Sequence, residues 1–368
     1  MAAGLNLVVT LRRPVPLSVL DLSPITSGST ARDALRNSVD LVQRAEALGY
    51  QRYWVAEHHN MPGIASSAPA VLIGHLAQAT SSIRVGSGGV MLPNHAPLVV
   101  AEQFGMLEAL HPGRIDLGIG RAPGTDPLTA HALRRPSGTP RRDAPGADDF
   151  PQQLGEVLAF FEDSFPDEHP YQRITATPAQ GFLPEVWLLG SSGFSAQLAG
   201  MLGMPFSFAH HFSAGNTLPA LELYRQHFEP GPFLDAPFVS LGVNVVVAAT
   251  VEEARRLAAP MALSMLRLRS GRPGPLPSND EAAAYNFTPS EEATVQGFTG
   301  SQVVGDVASV TEQLDALLEA TDAQELIVTT NLYEHKDRIR SYELLAEIGE
   351  LAGAAVGKVA DPEPAARP

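Results

Sequence analysis

The sequence predicts an α/β fold closed as a (β/α)8 TIM barrel, with excursions after strands four and seven, and three observations carry that expectation. Short β-branched runs recur along the chain and are apolar on both faces, as parallel strands covered on both sides are. Each run is followed by a segment whose apolar residues recur at helical spacing. Eight such units fit between residues 14 and 352 without a break in composition. Eight units favour a closed ring over an open sheet.

Residues 1–13 form an N-terminal extension, 14–352 the barrel, and 353–368 a tail expected to be disordered. Strand one spans 15–21. Ser29 or Thr30 caps the first helix, which carries Leu35, Val39, Val42, Ala45 and Leu48 and closes at Gly49. Strand two spans 52–56. Ser67 is the expected cap of helix two, with Pro69 in its first turn, where a missing N–H is harmless. Strand three spans 83–92. Pro97 opens helix three, and His111-Pro112-Gly113 ends it. Strand four spans 114–119. The Pro-, Gly-, Arg- and Asp-rich stretch 121–146 reads as a long loop, followed by a helix over 149–161. Strand five spans 186–189 with a helix to Leu202. Strand six spans 205–209 with a helix over 218–228. Strand seven spans 238–248 with a helix over 251–268. Residues 269–300 have little periodicity and form the second excursion. A helix over 307–318, strand eight over 325–329 and a helix over 338–351 complete the barrel.

The chain of 368 residues is 44% hydrophobic and 18% charged, as soluble globular proteins are. Its formal net charge of −15 argues against nucleic acid or anionic membrane as partners. There is no cysteine, which excludes disulfides, thiolate metal sites and a thiol nucleophile. No apolar run is long enough to span a membrane, and the N-terminus lacks the charge order of a secretory signal, so a cytoplasmic location is expected.

Candidate chemistry lies at the C-terminal strand ends, where barrels place their active sites. Strand two ends in Glu57, His58 and His59. Neighbouring side chains alternate, so His58 and His59 cannot both face the mouth while the strand continues. A histidine there moves protons near neutral pH, or simply bonds loop carbonyls. Adjacent histidines, here and at His210-His211, lack the His-x-His spacing that puts two metal ligands on one face, so no metal site is expected. Ser87-Gly88-Gly89 lies near the end of an interior strand; a flat ring against bare backbone accounts for two successive glycines better than a β-bulge does. The glycines from Gly118 to Gly124 have the wrong spacing for a dinucleotide fingerprint, but Arg121 is a cation suited to a phosphate. The turn from Gly190 to Ser195 enters a helix, offering free N–H groups and hydroxyls to one phosphate, or else a serine-capped helix.

Four stretches together resemble the bacterial luciferase-like flavin monooxygenase family, in its alkanal-monooxygenase-like branch. They are Trp54-Val-Ala-Glu-His-His59, Val85-Gly-Ser-Gly-Gly-Val-Met-Leu-Pro93, Gly113-Arg-Ile-Asp-Leu-Gly-Ile-Gly-Arg121 and Leu189-Gly-Ser-Ser-Gly-Phe-Ser195. The resemblance implies a TIM barrel that uses FMN in reduced form with O2 as co-substrate. It implies that His58 is the catalytic histidine beside the flavin. Glu57 would lie under the ring, and Gly88-Gly89 would carry a non-proline cis peptide against it, next to Ser87. Arg121 and the turn Gly190, Ser191, Ser192, Gly193, Phe194 and Ser195 would hold the phosphate. His59, His210 and His211 would line the substrate side, with 121–146 and 269–300 as covering loops. Gly120 stands where the light-emitting enzymes' catalytic subunit has a reactive cysteine, so that thiol's chemistry does not carry over. A flavin reductase supplying reduced FMN, a small aldehyde, ketone or similar organic substrate, and a homodimer built on helices two and three are further implications. The alternatives are a deazaflavin-dependent hydride-transfer enzyme and a non-catalytic flavin-binding protein; the retained His58 weighs against the latter.

Overall fold

A computed structural model describes residues 9–133 and 149–351. It contains parallel strands β1 (Leu17–Asp21), β2 (Arg52–Val55), β3 (Arg84–Met91), β4 (Ile115–Gly120), β5 (Glu185–Gly190), β6 (Phe206–Phe208), β7 (Val239–Val247), β8 (Val303–Gly305) and β9 (Glu325–Thr329). β1 to β7 pair in sequence order, and β9 sits between β7 and β1, so a ring closes; β8 pairs only with the far end of β7 and stands outside it. The expected barrel is therefore the fold, with one strand that was not anticipated. Three residues, Val303 to Gly305, are too few to show a period.

The helices are α1 (Ala31–Leu48), α2 (Pro69–Gln78), α3 (Pro97–Leu110), α4 (Pro127–Leu133), α5 (Phe150–Glu162), α6 (Gly193–Met201), α7 (His210–Ser213), α8 (Thr217–Gln226), α9 (Val251–Arg269), α10 (Asn279–Ala284), α11 (Pro289–Thr299), α12 (Val307–Thr321) and α13 (His335–Ile348). Thr30 caps α1 in a reciprocal pair with Asp33, and Gly49 ends it with φ 87°, a left-handed turn that glycine adopts without strain. Ser67 does not cap α2. Ala68 holds that position without a side-chain bond, and Pro69 removes one of the N–H groups a cap would serve. Neither excursion is plain loop. The first begins with α4; its residues 134–148 lie outside the described residues, as does the tail 353–368. The second holds α10, capped by Ser278, and α11, capped by Thr288 with Glu291, both too short for their apolar pattern to stand out. α13 starts earlier than expected, at His335, and ends at Gly349.

Part of the N-terminal extension is tied to the base of the barrel. The Leu11 N–H donates to the Ile348 carbonyl at 3.1 Å, the Arg12 N–H to Asp315 at 2.9 Å, and Arg13 to the Asp322 carboxylate and the Ala323 carbonyl.

Strand alternation gives the barrel two cores. Val19, Val85 and Ile115 point outward and pack against helix residues such as Phe104 and Leu345. Leu20, Trp54, Trp187 and Ile327 point inward and fill the middle of the ring. Below them the first residues of several strands form a buried ionic layer. Arg52 donates to Asp116 at 2.8 Å, to Glu325 at 2.9 Å and to Glu185 at 3.2 Å. The two tryptophans join it: Trp54 Nε1 donates to Asp116 and Trp187 Nε1 to Glu185. This layer shuts the N-terminal end of the barrel and leaves the C-terminal end for ligands. Among the described residues, no helix is long and apolar enough to cross a membrane.

Candidate active site

The mouth of the barrel encloses a cavity of about 390 Å3. Its floor is Leu20, Trp54 and Ile327 from the inner core. His58 forms one wall, Gly88 and Gly89 another, and Arg121 with the turn after β5 a third.

β2 ends at Val55, and the alternation of the strand persists just beyond it. Glu57 turns outward and is fully buried, His58 faces the cavity, and His59 turns back to Glu57. His59 Nε2 and His95 Nε2 lie 2.8 and 2.9 Å from Glu57 Oε1, and the Met91 N–H donates to Oε2 at 3.0 Å. A carboxylate only accepts, so both imidazoles carry their proton on Nε2. Burial raises the Glu57 carboxyl, but these donors outweigh it and hold the group below its usual range. Glu57 thus locks the end of β2 to the end of β3. Glu57 and His59 do not line the cavity, contrary to the flavin and substrate roles expected of them.

His58 is held by its backbone, whose N–H donates to the Ser66 carbonyl at 3.0 Å. Its Nδ1 is buried and has no hydrogen-bond partner among the described residues. Burial lowers its pKa below the ordinary 6.5; nearby Glu57 opposes the shift and His59 adds to it. At neutral pH the ring is therefore an uncharged base facing the cavity. His211, in α7, shares this cavity and is pushed down to about 4 by burial. Its ring packs on Gly242, where a Cβ would come within 2.8 Å of it. His210 is off the cavity wall, its Nδ1 2.8 Å from Thr217 Oγ1.

The Gly88–Gly89 peptide is cis. The pairing of β3 with β4 shifts register between Gly88 and Val90, so the bulge set aside on sequence grounds is present. Packing within the protein already requires both glycines. A Cβ on Gly88 would lie 2.7 Å from Leu20 Cδ1, and one on Gly89 2.7 Å from the Gly118 carbonyl oxygen. Ser87 points away from the cavity and donates to the Gly118 carbonyl at 2.9 Å.

Gly190 at the end of β5, and Ser191, Ser192 and Ser195 after it, line the cavity. A Cβ on Gly190 would lie 2.6 Å from that of Ser195, which explains the glycine. Ser192 is the N-cap of α6 but makes no side-chain cap bond, which leaves its hydroxyl and the first-turn N–H groups as donors at this end of the cavity. Gly193 and Phe194 do not line the cavity; Phe194 instead carries the Arg121 guanidinium 4.3 Å above its ring. Arg121 has no carboxylate partner among the described residues. Donors without acceptors thus converge at one end of a cavity whose other walls are mostly apolar apart from His58 and His211. That donor set fits a phosphate monoester carrying a planar ring, as FMN does.

Sequence reasoning missed Trp54, Met91, Phe212 and Ile327 as lining residues. As apolar residues they are indistinguishable from core in the sequence.

Residues 15–324 match the luciferase-like monooxygenase family. The chain belongs to that family. A luciferase-like monooxygenase of Escherichia coli K12 is 44% identical over 92% of this chain and 98% of its own. The N-acetyl-S-alkylcysteine monooxygenase of Bacillus subtilis is 38% identical over 90% of this chain and 98% of its own. Among solved structures, apo-MsnO8 is 39% identical with a TM-score of 0.82, covering 92% of this luciferase-like chain and 98% of its own. A type II Baeyer–Villiger monooxygenase component from Pseudomonas putida in complex with FMN, 20% identical with a TM-score of 0.68, covers 92% of this chain and 98% of its own and shares the fold.

Proposed function

We propose that this luciferase-like monooxygenase uses reduced FMN and O2 to oxygenate a small organic compound at a carbonyl or heteroatom. One observation carries the reading: a single cavity has unengaged anion donors at one end and an uncharged, unpartnered histidine on its wall. Arg121, Ser191, Ser192 and Ser195 would hold the phosphate, and Trp54, Leu189 and the Gly88–Gly89 backbone would flank the ring. When bound, reduced FMN supplies the electrons that let O2 give one oxygen to the product and one to water. Leu20, Trp54 and Ile327 keep water from the cavity floor. His58 accepts or passes on a proton at Nε2, the ring nitrogen that is not closed off by the protein.

The reading includes a flavin reductase as donor of reduced FMN, with both proteins in the cytoplasm. It also includes a homodimer through α2 and α3, where Val71, Val99, Met106 and Leu110 are exposed apolar side chains. Light scattering on the purified chain tests the dimer.

The main test is product formation, with and without O2, supplied with photoreduced FMN, with reductase-generated FMN and with reduced deazaflavin. Turnover with both sources of reduced FMN supports the reading, as does its loss in His58→Ala with FMN affinity intact. Oxygen-independent turnover with the deazaflavin alone overturns it, and so does tight FMN binding with no turnover across aldehydes, ketones and thioethers.

A further inference from the structure

A second cavity, of about 120 Å3, lies beside the first and reaches α9 and α11. Leu22, His58, His211 and Phe212 line both cavities, so the partition between them contains the proposed proton-handling group. Most of the second cavity is apolar. Met61, Met261 and Met265 supply flexible thioether walls that adapt to a chain of variable shape.

One wall differs. Asn244 of β7 lies opposite Thr329 of β9 in the strand register, and Asn331 follows two residues later. Both asparagines line the cavity and are more than nine-tenths buried. Asn331 Nδ2 donates to Thr329 Oγ1 at 3.2 Å, but Asn331 Oδ1 and Asn244 Nδ2 have no partner among the described residues. Buried polar atoms are rarely left unpaired, because each forfeits its bonds to water. Here one amide acceptor and one amide donor are left over on neighbouring strand ends. No Asp, Glu, Lys or Arg among the described residues lines this cavity. Burial also keeps His58 and His211 uncharged at neutral pH. An ionic ligand would find no counter-charge.

We propose that the second cavity binds the substrate's polar end and that this end is an uncharged amide on a flexible apolar chain. Neither atom is reached by water in the free protein, so each side-chain amide turns toward the cavity as the substrate's carbonyl accepts from Asn244 Nδ2 and its N–H donates to Asn331 Oδ1. Its chain lies against the methionines, beside His58. The assignment rests on the flavin reading of the larger cavity and specifies the substrate class that reading leaves open.

The test is equilibrium binding to the full-length, flavin-free protein by calorimetry, with three probes of matched size: N-hexylacetamide, hexyl acetate and octanoate. The amide is expected to bind about ten-fold more tightly than the ester, which lacks the N–H. Octanoate is expected to bind more weakly than either. Asn244→Leu and Asn331→Leu should weaken amide binding toward the ester's level. Equal binding of amide and ester, or octanoate binding as tightly as the amide, overturns the proposal in the native protein, whether or not the variants fold. An FMN titration of the same sample separates the two readings. FMN binding without an amide preference overturns only the amide site; an amide preference without FMN binding supports that site and overturns the flavin reading.

Discussion

His58 and His211 share a cavity wall, yet acid reaches them with different consequences. The His58 pKa lies below 6.5, so its neutral form predominates from alkaline pH down through that value. A rate that needs the neutral base stays level across pH 7 and falls only below 6.5, as a stopped-flow pH profile would show. Removing it as in His58→Ala is expected to slow turnover by about 10²–10⁴-fold. His211 acts on stability. It titrates at about 4 in the folded chain but near 6.5 when unfolded, so the unfolded state takes the proton first. Its contribution is complete above pH 6.5 and is lost as pH falls from there toward 4, on the order of 3 kcal/mol. His211→Gln should flatten the acid limb of the melting-temperature curve. At this scale the sequence was partly legible. Alternation along β2 admitted only one of two adjacent histidines to the mouth while the strand continued, and the family resemblance pointed to His58. The partner that pulls Glu57 away, His95, is 38 residues further on and meets it only in the folded chain. Asn244 was legible in kind, as an amide inside the valine run of β7, but read as plain strand.

The turn from β5 into α6 is where element geometry bears on binding. Its unengaged N–H groups and Arg121 face the same end of the cavity, so their loss should matter for a phosphate and not for the ring. Arg121→Leu is expected to weaken FMN binding by about ten-fold and riboflavin binding little, measured by fluorescence quenching. If both weaken equally, the phosphate does not sit there. Strand and helix boundaries with strong punctuation were readable: Thr30 and Gly49 bracket α1, and Pro97 opens α3. The short pieces were not. α10, α11 and β8 contribute too few residues to establish a period, although their caps at Ser278 and Thr288 were visible as residues. Two glycines at the end of β3 pointed to close approach, and what approaches in the protein is Leu20 and the backbone of β4.

Over the whole molecule, the repeat of strand and helix made the barrel legible, because a ring of parallel strands has to be buried on both faces. Its ionic base was not, since Arg52, Asp116, Glu185 and Glu325 are scattered along the chain and meet only when the ring closes. That base is distant from the mouth, and the two should separate experimentally. Arg52→Leu takes the charged partner from fully buried Glu325 and one of two from Asp116, which keeps Arg84, and is expected to lower stability by about 3 kcal/mol in urea unfolding. FMN affinity, measured below the transition, should be unchanged; a large change would mean that base and mouth are coupled.

The sealed base has a kinetic corollary. With the base shut, flavin and substrate both come and go on the mouth side, where their two cavities share a partition. A molecule crowding that partition delays its neighbour's exchange. High substrate concentration should therefore slow the reaction by trapping spent flavin inside.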